Sequence, residues 1–287
     1  MNLLVDIESF DREKINLDSA RFKINLDSGH LAIESGRVVF PKGEITLDAH
    51  LDLEKDLTLS VKASGKNIDP MHQFSIQQTK LKKAFNASLD IDIDITSSGA
   101  SEYALFANMD GNIYINLKNG QIRKKPFDML FTDLVGWTIG KTRGKKYIDI
   151  NCGIADYRIT KGVITTNAFF IDAKDFTITG EGTIDLAKEQ VAYVFLPKKK
   201  SRLILKADPV RVNGPLNDPE VTVIPWKSAV AAYGSLVFAP YVFVGVKAFH
   251  FLKNKLRRGD KTTPCLTYEK SMNKTQKNTV VNQSFKE

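Results

Sequence analysis

The sequence predicts a mainly β protein made of antiparallel strands, each with one apolar and one polar side. Three observations point there. Apolar residues recur at every second position along much of the chain, glycines sit where new strands begin, and helical spacing is confined to short stretches. The clearest alternation runs over residues 84–96, with Leu89, Ile91, Ile93 and Ile95 on one side and Asp90, Asp92 and Asp94 on the other. The same period returns over residues 44–53, 57–61, 112–117 and 147–151. Strands of this kind belong to antiparallel sheets wetted on one side, whereas a parallel α/β core is built from uniformly apolar strands.

Taken in order, residues 1–7 already read as a strand and carry no apolar run of secretory-signal length. If the protein works outside the cytosol, its export or anchor segment is expected upstream of this chain. Gly36, Gly120 and Gly162 each precede a strand-like run and read as turns, because glycine supplies the positive φ that hairpin turns demand. A helix is expected over residues 69–81, with Asp69 as N-cap and Pro70 at the first helical position. A second is expected over residues 126–137, where Phe127, Leu130, Phe131, Leu134 and Val135 line one face. Residues 176–197 and 214–225 return to short strands, with a polar turn at Lys188, Glu189 and Gln190 and a closing turn at residues 214–219. Residues 229–246 are uncharged, at about the minimum length for a membrane span. Pro240 interrupts that run and Gly234, Ser235 and Gly245 dilute it, so an interfacial or core-capping helix pair is expected instead. Beyond Gly259 the chain is polar and Lys-rich and reads as a disordered tail. The expected division is therefore a repetitive β segment (1–110), a second β region (111–225), an apolar helical segment (226–258) and a basic tail (259–287).

With 287 residues, 43% of them hydrophobic, the chain can bury a sizeable core. Its charge is uneven. Residues 1–110 carry 12 Lys and Arg against 18 Asp and Glu, residues 111–246 carry 19 against 12, and residues 247–287 carry 10 against 3. Such polarity suits an anionic partner at one end, a membrane surface or nucleic acid. Cys152 and Cys265 permit one disulfide in an oxidising compartment, which would pin the tail to the sheet; in a reducing one both stay thiols.

The chemistry-bearing residues do not assemble into a reaction centre. His30, His50, His72 and His250 are scattered outside any metal-ligand motif, so no metal or cofactor is expected. Asp90, Asp92 and Asp94 stand roughly 7 Å apart along a strand, too far to chelate one cation, and read as a solvated face. No nucleophile elbow marks a hydrolase. Gly180, Glu181 and Gly182 lie between strand-like runs and cradle no phosphate. Basic clusters at Arg123–Lys125, Lys141–Lys146 and Lys198–Arg202 lack the interleaved aromatics of a nucleic-acid platform, so no nucleic-acid partner is expected. Taken with the apolar segment and Lys247, Lys253, Lys255, Arg257 and Arg258, they fit contact with anionic lipid headgroups at about 1 kcal/mol per cation.

Residues 176–197 (FTITGEGTIDLAKEQVAYVFLP), 214–225 (GPLNDPEVTVIP), 123–137 (RKKPFDMLFTDLVGW) and 150–154 (INCGI) resemble the AsmA family of envelope proteins. The resemblance is densest over residues 111–226 and extends back through the earlier strands; the turn at residues 214–219 is similar to one shared with TamB-like relatives. It implies a long curved antiparallel sheet, taco-like in section, with an apolar inner groove. It further implies a non-enzymatic periplasmic protein associated with the inner membrane, conducting phospholipid between inner and outer membranes in support of outer-membrane biogenesis. Strand parity gives the groove candidates Ile91, Ile93, Ile95, Ile113, Ile115, Ile148, Ile150, Ile178, Ile184 and Val194. The competing expectation is an assembly factor whose sheet edge docks a nascent outer-membrane protein by strand addition, with a hydrolase a distant third.

Overall fold

In the computed structural model, described over residues 1–12, 15–54, 57–69, 85–123, 147–200, 208–225, 265–266 and 268–269, the chain is mainly β. The strands are β1 (Asn2–Ile7), β2 (Phe10–Arg12), β3 (Ile15–Leu17), β4 (Ser19–Asp27), β5 (His30–Val39), β6 (Glu44–Asp52), β7 (Leu57–Ile68) and β8 (Phe85–Gly99). They continue as β9 (Asp110–Arg123), β10 (Tyr147–Thr160), β11 (Val163–Ala173), β12 (Phe176–Asp185), β13 (Gln190–Lys199), β14 (Val210–Pro215) and β15 (Glu220–Val223). Thirteen of them form one antiparallel sheet in the order β1-β4-β5-β6-β7-β8-β9-β10-β11-β12-β13-β14-β15, while β2 and β3 form a separate hairpin. The sheet is not closed: β1 and β15 are its outer edges. From β4 to β15 sequence neighbours are sheet neighbours, the usual arrangement of consecutive antiparallel strands, while β1 pairs with β4 across the β2–β3 hairpin.

Among the described residues helix is confined to α1 (Glu102–Ala107) and to residues 265–266 and 268–269. The helices expected over residues 69–81 (apart from its cap Asp69) and 126–137, the apolar segment 229–246, and Lys247, Lys253, Lys255, Arg257 and Arg258 lie outside the described residues, as does most of the tail. Helix α1 has no counterpart in the sequence expectations. Ser101 caps it, its hydroxyl accepting from the Ala104 amide at 3.2 Å. It folds back on β8, where the Ser97 hydroxyl donates to the Leu105 carbonyl and a Cβ on Gly99 would lie 2.5 Å from that of Ala104.

Two of the three glycine turns need correction. Gly162, with Lys161 at φ 47°, does turn β10 into β11. Gly36 and Gly120 instead lie inside β5 and β9, at places where the pairing register slips by one residue. These are β-bulges, which leave one residue out of the ladder and bend the strand. A bulge and a turn both ask for small residues and unusual backbone, so the sequence signal is the same. At Gly36 a Cβ would lie 2.7 Å from the Leu47 carbonyl oxygen.

The bulges also give the aspartate rows a structural task. Ser35 (φ 51°) and Asn67 (φ 53°) sit at the bulges of β5 and β7. The Ser35 amide donates to Asp48 Oδ1 on β6 at 2.8 Å, and the Asn67 amide donates to Asp90 Oδ1 on β8 at 2.8 Å. A neighbouring carboxylate thus satisfies each donor that the ladder has released. Asp92 accepts from the Ser64 hydroxyl at 2.7 Å, so the exposed acidic row of β8 also stitches β7 to β8.

Candidate functional site

Because directly paired residues share a face, the register decides what each side of the sheet presents. One row can be followed from neighbour to neighbour across twelve strands: Leu3, Ile24, Ile33, Ala49, Val61, Ile95, Gly111, Ile159, Ile164, Ile184, Val191 and Gly214. Every member is apolar. The row beside it runs Asp48, Lys62, Asp94, Asn112, Arg158, Thr165, Thr183, Ala192, Asn213 and Glu220, and is polar at all positions but one. The sheet therefore has one apolar and one polar face.

The apolar face divides into two halves. From β5 to β9 its large side chains stay partly exposed, Ile68 excepted; Leu47, Val61, Ile93 and Ile115 are all of intermediate burial. From β10 to β14 the same face carries a packed cluster, while Ile164, Phe169, Ile171, Ile184 and Phe195 keep intermediate burial. Ile150 and Ile178 are 2% exposed and Phe176 is 4% exposed, in a cluster with Ile148 and Ala173 that Leu117, Phe169, Ile171 and Phe195 surround. The rings of Phe169, Tyr193 and Phe195 stack over β12, with centroids 4.6 to 6.1 Å apart. They fit because β12 carries glycine beneath them: a Cβ on Gly180 would lie 2.7 Å from both Phe169 and Tyr193. Thr166 supplies a polar node there, accepting from the Gly182 amide at 3.2 Å and lying 3.3 Å from the Tyr193 hydroxyl. Burial pushes the hydroxyls of Tyr157 and Tyr193 up from the ordinary tyrosine range.

On the polar face, β9 to β11 carry an apolar island of Tyr114, Ile154 and Phe170, which Cys265 and Tyr268 contact. Cys152 and Cys265 are joined by a disulfide with 6.3 Å between the Cα atoms. The Tyr268 hydroxyl donates to Asp156 Oδ2 at 2.8 Å, Asn116 Nδ2 donates to Glu269 Oε1, and the Tyr268 ring meets Phe170 edge-on. Burial, reinforced by nearby carboxylates, holds the Tyr114 and Tyr268 hydroxyls protonated well above the ordinary range.

The groove candidates fall as follows. Ile91 and Ile93 stand opposite Ile115 and Ile113, and Ile95 opposite Gly111, all on the open half of the apolar face. Ile148, Ile150 and Ile178 join the packed cluster, and Ile184 pairs with Ile164 and Val191. Val194 is a correction. It stands between Glu181 and Arg211, on the polar face. The run from Val191 to Pro197 is apolar at both parities, so alternation alone selects neither; the register places Val191, Tyr193 and Phe195 on the apolar side. Those aromatics and the glycines beneath them are what sequence reasoning missed. His30 lies 3.3 Å from Asp52 and 3.7 Å from Glu54, exposed on the polar face, and no group of three His, Cys, Asp or Glu among the described residues could hold a metal ion.

An open antiparallel sheet with an apolar row across twelve paired strands beside a polar row across ten defines a protein that offers an extended apolar surface. The chain belongs to the AsmA family, whose model matches residues 2–169. That stretch runs from β1 into β11 and leaves residues 176–197 and 214–225 beyond it. The chain is similar to the AsmA family protein YhjG of Escherichia coli (strain K12), at 26% identity over 133 residues. The matched stretch covers 46% of this chain but 19% of that protein, about a fifth of its length. No solved structure matches.

Proposed function

We propose that the apolar face carries phospholipid acyl chains, and that the protein acts without chemistry, conducting phospholipid between inner and outer membranes in support of outer-membrane biogenesis. Its place is then the periplasm, associated with the inner membrane. The observation that carries this is the unbroken apolar row from Leu3 to Gly214 beside a polar one. A sheet face of that size needs a cover, and acyl chains supply one at about 0.8 kcal/mol per buried CH₂. The attraction is non-directional, so it holds a chain without fixing its position. Membership of the AsmA family fits a bridge-like lipid carrier or envelope protein. Curvature at the bulges would fold the face into a taco-like groove, and Lys247, Lys253, Lys255, Arg257 and Arg258 would meet anionic headgroups.

Lipid extraction and mass spectrometry of the purified full chain, produced in a bacterial periplasm with a supplied signal, tests this. Near-stoichiometric phospholipid is expected from the natural sequence, falling at least tenfold in Ile93→Asp. A folded, lipid-free protein would refute the proposal. One observation favours a second role, assembly of outer-membrane proteins by strand addition: β1 and β15 end the sheet, and Leu4 of β1 is 66% exposed. Substitutions to proline in β1 that abolish such assembly while leaving bound lipid intact would select that role.

A further inference from the structure

Resting on the acyl-chain reading above, we infer that the lipid path has a built end: acyl chains occupy the face of β4–β9 and stop at an aromatic plug formed by Phe169, Tyr193 and Phe195 over Gly180 and Gly182. Apolar residues line the face on both sides of this boundary, so polarity does not set it. Filling does. On β8 and β9 the branched side chains of Ile91, Ile93, Ile113 and Ile115 stand side by side and leave their outer surfaces partly open. On β12 two glycines remove the side chains that would keep neighbouring rings apart, and Phe169 from one flank and Tyr193 and Phe195 from the other close over the gap.

The rings have little freedom to withdraw. A Cβ on Gly182 would lie 2.3 Å from the Ala192 carbonyl oxygen and 2.6 Å from the Tyr193 Cα, so β12 and β13 pack here with no slack. The Tyr193 hydroxyl sits 3.3 Å from Thr166 Oγ1, whose other contact is the Gly182 backbone. Threading an acyl chain past this point would part those groups and offer them no polar partner in exchange, a cost that open β8 and β9 do not impose. The plug therefore determines where lipid can sit, and in which section of the sheet a path along the face ends.

Site-specific photocrosslinking on the full chain separates the possibilities. The photoreactive residue p-benzoylphenylalanine is placed at Ile93 on β8 or at Ile184 on β12, both of intermediate burial, and the protein is incubated with vesicles of radiolabelled phosphatidylethanolamine. Crosslinked lipid at position 93, at least tenfold above position 184, is the expected result. In Phe195→Ala, and more strongly with Tyr193→Ala added, the signal at 184 should rise toward that at 93. Equal labelling at both positions in the otherwise natural chain would overturn the plug while leaving an acyl-binding face in place. Labelling at neither would overturn the acyl-chain reading and the plug with it. The comparison in the natural chain holds even if the double variant fails to fold.

Discussion

The strands β5–β9 and the strands β10–β14 are written in the same alternating pattern, yet one half of the apolar face is partly open and the other is built around a closely packed cluster. Ile93 and Ile178 are chemically the same residue on the same face; Ile178 is 2% exposed, while Ile93 is half-buried. Alternation decides which side of a sheet a residue joins. Whether that side is filled depends on side-chain size, and the packed half adds the rings of Phe169, Tyr193 and Phe195 where the large residues of the open half are mostly isoleucine, leucine and valine. The two halves should then differ in how strongly each depends on its apolar residues.

The largest difference is expected from truncation. Phe176→Ala should lose about 3–5 kcal/mol in urea unfolding, because it leaves a void among Ile148, Ile150 and Ile178. Ile93→Ala, already partly in contact with water, should lose roughly 1–2 kcal/mol. Equal losses would erase the distinction between the halves. The disulfide comes next: Cys265→Ser should cost about 2–4 kcal/mol. Hydrogen exchange should quicken in β9–β11, where Cys265, Tyr268 and Glu269 are anchored, and remain unchanged in β5–β7; uniform quickening would mean the halves unfold as one.

A smaller effect belongs to the open half. Asp90→Ala strips the acceptor from the Asn67 amide at the β7 bulge, together with the Lys118 ion pair at 2.9 Å. A loss of about 1–2 kcal/mol is expected, with Asp90→Asn recovering part of it; an unchanged midpoint would show that water serves the amide equally well. The smallest effect is alkaline. Tyr114, Tyr193 and Tyr268 are all held protonated by burial, and all lie in β9–β13 or against them. Their raised pKa values give stability that is complete below the ordinary tyrosine value of about 10 and fades as pH climbs through the raised values. Tyrosinate absorbance should show these hydroxyls ionising late and together with loss of structure in the second half. Early, independent ionisation would mean the packed half admits water.

The strands and the face of most groove candidates were legible in the sequence, because an alternation such as that from Leu89 to Ile95 leaves one face available to the apolar set. The family resemblance was legible too, and the family match supports it over residues 2–169. Bulges were not, since Gly36 and Gly120 carry the same local signal as a turn and only pairing with β6 and β8 distinguishes them. Val194 was misplaced because a run apolar at every position has no parity to read. The plug was hidden for a related reason: Gly180 and Gly182 suggest a loop, and their purpose emerges only when β11 and β13 bring Phe169, Tyr193 and Phe195 over them.

The strictly sequential order of the sheet has a consequence for how the molecule comes into being. From β5 onward each strand pairs with the one made just before it, so a chain emerging N-terminus first has its next partner already in place. Each pairing is between consecutive strands, so the sheet can lengthen one strand at a time while its newest edge waits briefly uncovered. The Cys152–Cys265 bond stands apart, because its ends are 113 residues distant. It can close only after β15 has been laid down, which makes it a late tie across strands already paired.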